Sequence, residues 1–273
     1  MIKQLKIPEC ENEDKIEVYT LYSGSSGNSI YVKYGNTEFL VDAGVSTTMI
    51  ERALNALGTS LTNISAIFIT HEHIDHTYAL EVISKKYKIP VHFTAPSYNE
   101  FVKSGTFLSK CALSHEVIYC EKVGEVSIKS FEIPHDAKQN VGYIIKTKSE
   151  TFGIATDIGH ITDEIVSSLS ECDKIIIEAN HDINMLKCGT YPEYLKRRIL
   201  SQRGHLSNDD CATLICTLAE KGVKSFTLAH LSKENNTEEI AFNTVNASLV
   251  RNGYYGKVNI KLSSPAMSVC ATE

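Results

Sequence analysis

The sequence predicts an α/β protein in which two β-sheets lie face to face under outer helices, a four-layer αββα sandwich. Three observations carry that prediction. The first half of the chain reads as meandering strands, the second half alternates strands with helices, and candidate metal ligands recur where apolar strands end. The 273 residues, 42% hydrophobic and 22% charged, have the composition of a globular chain able to bury a substantial core. No repeat, low-complexity tract or long linker interrupts them, so residues 16–273 read as one domain. Residues 1–15 read as a short acidic extension.

Each element has a local justification. Residues 15–23, 29–34 and 37–41 read as strands, with Gly35-Asn36 as a hairpin turn between the second and third. Residues 47–57 show helical periodicity and stop at Gly58. A strand over 66–69 leads to a helix over 76–87, followed by a short strand over 91–94 and a helix over 96–104. Strands joined by turns are expected over 117–120, 126–133, 141–147 and 151–156. Alternation then sets in: helix 161–169, strand 174–177, helices 192–201 and 208–221, strand 225–229, helix 237–252 and strand 257–262.

Bulk properties narrow the setting. No apolar stretch is long enough to span a membrane. The N-terminal residues carry charge without an apolar core, so no secretory leader is expected. Eight cysteines without a CxxC pair fit a reducing, cytoplasmic location and free thiols. A net charge of −6 argues against a broadly basic nucleic-acid coat but leaves room for local phosphate binding. No protein partner can be deduced.

The chemistry concentrates at His71-Glu72-His73-Ile74-Asp75-His76, which follows the apolar run Ala66-Ile67-Phe68-Ile69 and Thr70. His71 and His73 are two apart, so in extended geometry they point the same way. Asp75 and His76 open the next helix and can aim at a neighbouring point. One segment can thus serve two adjacent metal ions. Imidazole and carboxylate donors suit zinc, manganese or iron. This HxHxDH spacing after a strand resembles the motif of the metallo-β-lactamase superfamily, whose fold is the αββα sandwich.

That resemblance implies three further ligands at later strand ends. His135, after the strand 126–133 and Pro134, competes with His115 for the first place. His135 is favoured because the hairpin 141–156 leads from it to Asp157. Asp157 closes Ile154-Ala155-Thr156 and resembles the bridging aspartate, and His230 follows Phe226-Thr227-Leu228-Ala229. By analogy His71, His73 and His135 hold one ion, Asp75, His76 and His230 the other, and Asp157 is shared. Asp75 is also a candidate catalytic group. Asp42, in Phe39-Leu40-Val41-Asp42, occupies a position expected to orient a ligand through hydrogen bonds. A bridging carboxylate in place of a cysteine argues against β-lactam hydrolysis. A di-iron redox module is disfavoured by intact His73 and His76.

Further stretches narrow the family. These are the small-residue loop 22–29 with Ser26 and Asn28, Pro134-His135-Asp136-Ala137, Glu178-Ala179-Asn180-His181-Asp182, Gly204-His205-Leu206-Ser207-Asn208 and Ala229-His230-Leu231-Ser232. Together they resemble the YycJ/WalJ family of bacterial metallo-β-lactamase-fold hydrolases over roughly residues 16–245. The resemblance implies two divalent ions, zinc or manganese, and 5′-to-3′ exonuclease action on a duplex DNA end, with a role in DNA repair. A phosphodiesterase of small cyclic nucleotides or cyclic phosphates is the alternative. In a related cyclic phosphodiesterase a histidine upstream of the last ligand contacts the scissile phosphate, which makes His205 the candidate proton donor to the leaving oxygen. Ser26, Asn28, Asn180 and His181 are candidates for phosphate binding or ligand orientation. Lys196, Arg197 and Arg203, with Lys187 and Arg198, form a local basic concentration around Tyr191 and Tyr194 that can face nucleic acid. His92 and His160 are expected to be ordinary surface residues or residues that support a ligand from behind.

Overall fold

Alternating and apolar runs near the N-terminus pair locally. In a computed structural model describing residues 15–103, 105, 112–116 and 118–263, β1 (Glu17–Tyr22), β2 (Ser29–Tyr34) and β3 (Thr37–Val41) form an antiparallel meander. Gly35 turns between β2 and β3 at φ +54°, a conformation that a Cβ disfavours. Helix α1 (Thr47–Ala56), capped by the Ser46 side chain on the Met49 N–H, carries the chain across to parallel β4 (Ile64–Phe68). Short α2 (Ile74–Thr77) and α3 (Leu80–Tyr87) lead to β5 (Val91–Thr94), and α4 (Ala95–Lys103) precedes β6 (Ala112–His115). These strands form one six-stranded sheet in chain order.

The second sheet repeats the scheme. Strands β7 (Cys120–Val123), β8 (Val126–Ile133), β9 (Asn140–Lys146) and β10 (Thr151–Ala155) are antiparallel neighbours. After α5 (Asp163–Leu169), parallel pairing continues through β11 (Lys174–Glu178), β12 (Ser225–Ala229) and β13 (Asn259–Leu262). Between β11 and β12 lie α6 (Ile183–Cys188), α7 (Glu193–Ile199) and α8 (Asn208–Glu220), and α9 (Glu238–Arg251) precedes β13. The order is β13-β12-β11-β10-β9-β8-β7, seven strands.

Each strand has two faces, and in the central strands such as β2, β9 and β11 both are buried along most of their length. One apolar cluster, including Val32, Phe39, Phe68, Tyr143, Ile145 and Phe152, fills the space between the sheets. A second seals the first sheet to its helices through Ile50, Leu54, Leu80 and Ile83, and a third seals the second sheet through Ile165, Leu169, Ile215 and Val245. This is the predicted αββα sandwich. Among the described residues no helix is long and apolar enough to cross a membrane.

The structure departs from the sequence expectations at several places. The predicted helix 76–87 is two helices, because the Ala79 N–H turns out of the ladder to the Ala43 carbonyl (2.9 Å). The strand expected over 117–120 gives way to β6 before it and to β7, which begins only at its last residue, Cys120, and residue 117 lies outside the described set. Helix α6 was not anticipated, and α5 starts at Asp163 because Thr162 caps it. Residues 1–14 of the expected extension, and the end of the expected helix at 104, also lie outside the described residues.

Candidate metal centre

Strand ends of both sheets meet along one edge of the sandwich and carry the candidate ligands. His71 and His73 follow β4, Asp75 and His76 belong to α2, His135 follows β8, Asp157 follows β10 and His230 follows β12. Cross-sheet hydrogen bonds hold the two halves in register. The Val141 N–H donates to the Thr70 carbonyl (3.1 Å) and the Tyr143 hydroxyl to the Ile69 carbonyl (2.6 Å). Asp42, Asp157 and His230 adopt left-handed backbone at φ 63°, 58° and 58°, each at a cost of about 1–3 kcal/mol that the surrounding packing must offset. The His230 N–H is held by Ser23 Oγ (2.7 Å) and its carbonyl by Asn180 Nδ2 (3.0 Å).

Hydrogen bonds behind the ligands decide which ring nitrogens face inward. Asp42 is an acceptor, so His76 presents Nδ1–H to it (2.8 Å). The Thr70 hydroxyl donates to Asp42 and therefore accepts from His71 Nδ1 (3.0 Å). His135 Nδ1 donates to the Gly204 carbonyl (3.0 Å), and His230 Nδ1 donates to Glu178 Oε1 (2.8 Å). In each case the proton sits outward and Nε2 turns toward the centre.

Four groups result, the potential ligand atoms within each lying within 4.8 Å of one another: His71 with His73 and His135, Asp75 with His76 and His230, Asp157 with His71 and His76, and Asp157 with Glu178, His205 and His230. Asp157 lies between the first two. Its Oδ1 is 3.8 Å from His135 Nε2 and 3.6 Å from His230 Nε2, and its Oδ2 is 3.4 Å from His76 Nε2. Asp157 Oδ2 and His230 Nε2 are buried and have no hydrogen-bond partner among the described residues. Such groups cost roughly 1–3 kcal/mol each when left alone, and His71 Nε2 faces His73 Nδ1 at 3.0 Å. The donor set therefore fits divalent cations, which would satisfy these atoms at once.

The electrostatics point the same way. Burial holds the His71 imidazole well below its ordinary value, and neighbouring His76 adds to this. Burial likewise lowers His135. For His76 burial opposes protonation, but Asp42, Asp157 and Asp75 outweigh it and raise the group to about 10. His230 rises to about 9 in the same way, through Asp157 and Glu178 against burial. Burial pushes Asp157 up, yet the four surrounding histidines hold it well below the usual carboxylate range. The fold thus keeps a buried carboxylate ionised and collects positive charge around it.

The remaining predicted residues separate. His115 stands against His92 in the first sheet, and His135 joins His71 and His73. His205 lines the cleft over the centre, with Nδ1 bonded to Glu178 Oε1 (2.8 Å). Asn28 reaches His76 Nε2 through its amide (3.0 Å) and accepts from the Gly24 N–H (2.8 Å). Ser26 lies outside the cleft and accepts from Lys233 Nζ (2.9 Å), whereas Ser25 lines it. His181 is buried, has no hydrogen-bond partner at either ring nitrogen among the described residues, and is lowered to about 4 by burial. It does not line the cleft.

Of the predicted basic set only Arg198 lines the cleft. Arg203 donates Nε to the His135 carbonyl (2.8 Å) and a terminal nitrogen to the Ala137 carbonyl (3.0 Å), so it braces the ligand loop. Lys196 donates to the Lys187 carbonyl (2.8 Å) and ties α7 to α6. Nor does Arg197 line the cleft. Arg198 does, paired with Asp136. His160 Nδ1 donates to the Gln202 carbonyl (2.8 Å) and is not part of the centre, and His92 is buried in the first sheet.

Glu178 was missed as a site residue. It is fully buried, and four donors converge on it: His205 Nδ1 and His230 Nδ1 on Oε1, and the Ile158 and Leu206 N–H groups (2.7 and 3.1 Å) on Oε2. Its signal was available, because Glu178 ends an apolar strand as Asp42 and Asp157 do.

With that geometry in place, comparisons with known proteins agree. Residues 37–230 match the model of the beta-lactamase superfamily domain. The chain is 35% identical over 229 residues to exodeoxyribonuclease WalJ of Streptococcus pneumoniae, covering 82% of this chain and 85% of that protein. It is 32% identical over 235 residues to exodeoxyribonuclease YycJ of Bacillus anthracis, covering 86% and 89%. Among solved structures, unliganded yeast PDE1 superposes with a TM-score of 0.72 at 12% identity, over 93% of this chain and 99% of that one, a likeness of fold. The chain belongs to the metallo-β-lactamase superfamily, in the family of the WalJ and YycJ exodeoxyribonucleases, and is a metal-dependent hydrolase.

Proposed function

We propose that this hydrolase is a cytoplasmic dimetal phosphodiesterase that shortens double-stranded DNA from its 5′ end in DNA repair. The observation that carries the reading is Asp157, buried between two histidine groups with one oxygen unpartnered. His71, His73 and His135 would hold one ion and Asp75, His76 and His230 the other, with Asp157 within reach of both sets. Zinc and manganese suit these donors, and iron is compatible. Bound there, two divalent ions supply Lewis acidity to a phosphoryl oxygen and acidify an attacking water.

The chain's own residues do the rest. Asp75, partly exposed in the cleft wall, is placed to take up the proton of an attacking water. His205 donates Nδ1–H to Glu178, so the doubly protonated ring carries its second proton at Nε2 and delivers that one to the leaving oxygen. The Arg198 guanidinium, anchored by Asp136, meets a phosphate next to the one cut.

A cleft of about 310 Å³ lined by Tyr191, Leu195, Arg198 and His205 has room for a terminal nucleotide. The same dimension favours a second reading, hydrolysis of a small cyclic nucleotide. Manganese-loaded protein offered a blunt DNA duplex and a cyclic nucleotide in one reaction separates the two. Shortened duplex with intact cyclic nucleotide is the expected result. The reverse would transfer the assignment to the small substrate.

A further inference from the structure

Three more metal-competent side chains meet at a place remote in sequence from the catalytic ligands. His92 comes from β5, His115 from β6 and Glu121 from β7. Strands β6 and β7 are the edge strands of different sheets, and no ladder joins them. His92 Nδ1 stands 2.9 Å from His115 Nε2, and a Glu121 carboxylate oxygen completes a group whose ligand atoms lie within 4.8 Å of one another.

The rings are held in place before any ligand arrives. Phe68 stacks on His92 (centroids 4.4 Å apart, 18° between planes), His92 lies nearly parallel to His115 (5.1 Å, 4°), and His115 stacks on Tyr119 (4.1 Å, 14°). The Tyr119 hydroxyl in turn meets that of Tyr143 (3.1 Å). A ligand therefore finds both imidazoles already oriented, with little side-chain freedom left to lose.

The charge state also suits a cation. Burial, then the neighbouring His115, lowers His92 to about 4, and burial lowers His115. Both rings are neutral around pH 7, the form in which imidazole binds a metal. As they stand, one proton shared between His92 Nδ1 and His115 Nε2 makes the hydrogen bond. Glu121 supplies the negative charge that two neutral rings lack.

We propose that His92, His115 and Glu121 form a second, non-catalytic site for a divalent transition ion of the zinc, nickel or copper type, which clips the edge of one sheet to the edge of the other. Two imidazoles and a carboxylate are a recurrent donor set for such ions, with a water at the remaining position. Binding breaks that hydrogen bond: the ring with its proton on the inner nitrogen shifts to the other tautomer, so both inner nitrogens offer lone pairs and each ring keeps one proton. The ion adds stability by mass action, since the three donors converge only in the folded chain.

The test is a count of ions on the full chain, stripped with chelator and reloaded with zinc. Wild type is expected to hold one equivalent more than Glu121→Gln and one more than His115→Phe, with hydrolysis unchanged in both variants. Phe at 115 keeps a ring between His92 and Tyr119. Equal counts in all three would overturn the proposal. A second measurement leaves the proposed site intact and removes a ligand from each catalytic set: the His73→Ala, Asp157→Ala, His230→Ala triple variant is expected to retain one zinc and a zinc-dependent rise in Tm. Loss of that zinc from the triple variant would likewise overturn it, and neither result depends on the nucleic-acid assignment.

Discussion

Replacing Glu178 by Gln keeps the side chain's shape and removes one of its two acceptors. The Ile158 and Leu206 N–H groups are fixed donors and retain the amide oxygen. The amide NH₂ then faces His205 Nδ1 and His230 Nδ1, which now sit 2.8 Å from Oε1. An NH₂ donates, so both rings must offer a lone pair at Nδ1 and carry their proton at Nε2. His230 Nε2 loses the lone pair that would bind metal, and His205 loses the partner that holds its inner proton. Loss of such an orienting partner lowers metal affinity roughly 10–100-fold, or about 1.4–2.7 kcal/mol. Competition against a chelator of known affinity reads that change, and the turnover rate at saturating metal reads the effect on His205. Both are expected to fall. Metal affinity within twofold of wild type would refute the argument that Glu178 sets the tautomer.

Two further predictions follow from packing and burial. A Cβ at Gly44 would lie 1.6 Å from the Asp75 carbonyl oxygen, so Gly44→Ala must displace the start of α2. Activity and metal content are expected to drop together in that variant, and normal activity would show that Asp75 and His76 tolerate movement. His92 and His181, both lowered to about 4 by burial, are neutral in the fold but take up protons in the unfolded chain below about 6.5. Stability is therefore complete above pH 6.5 and is lost as pH falls toward 4, by up to about 3 kcal/mol for each histidine. Urea unfolding in the presence of chelator is expected to show a shallower acid limb in His92→Phe, and an unchanged limb would contradict it.

Much of the centre was legible because its ligands lie at strand ends, where an apolar run stops and a polar residue must face the sheet edge. His71 to His76 are contiguous, and Asp157 and His230 each close an apolar strand. His135 could be separated from His115 only by the order of the strands around it. Glu178 obeyed the same rule and was passed over because the strand was read as ending one residue earlier. The basic residues misled for a different reason: charge count says nothing about where a guanidinium directs its N–H groups, and those of Arg203 point to the His135 and Ala137 carbonyls. In the fold, β6 and β7 were misplaced because short, half-exposed edge strands carry little alternation. Helix α6, six residues long, is too short for a periodic signal, and its start depends on the Asp182 side chain bonding the Met185 N–H (2.8 Å).

Digestion of a duplex labelled at either the 5′ or the 3′ end, with manganese and with Asp157→Ala as control, tests the account most directly. Release of the 5′ label first, in single nucleotides and abolished by the substitution, is the predicted result. Intact duplex, or equal digestion by the Asp157→Ala protein, would contradict it.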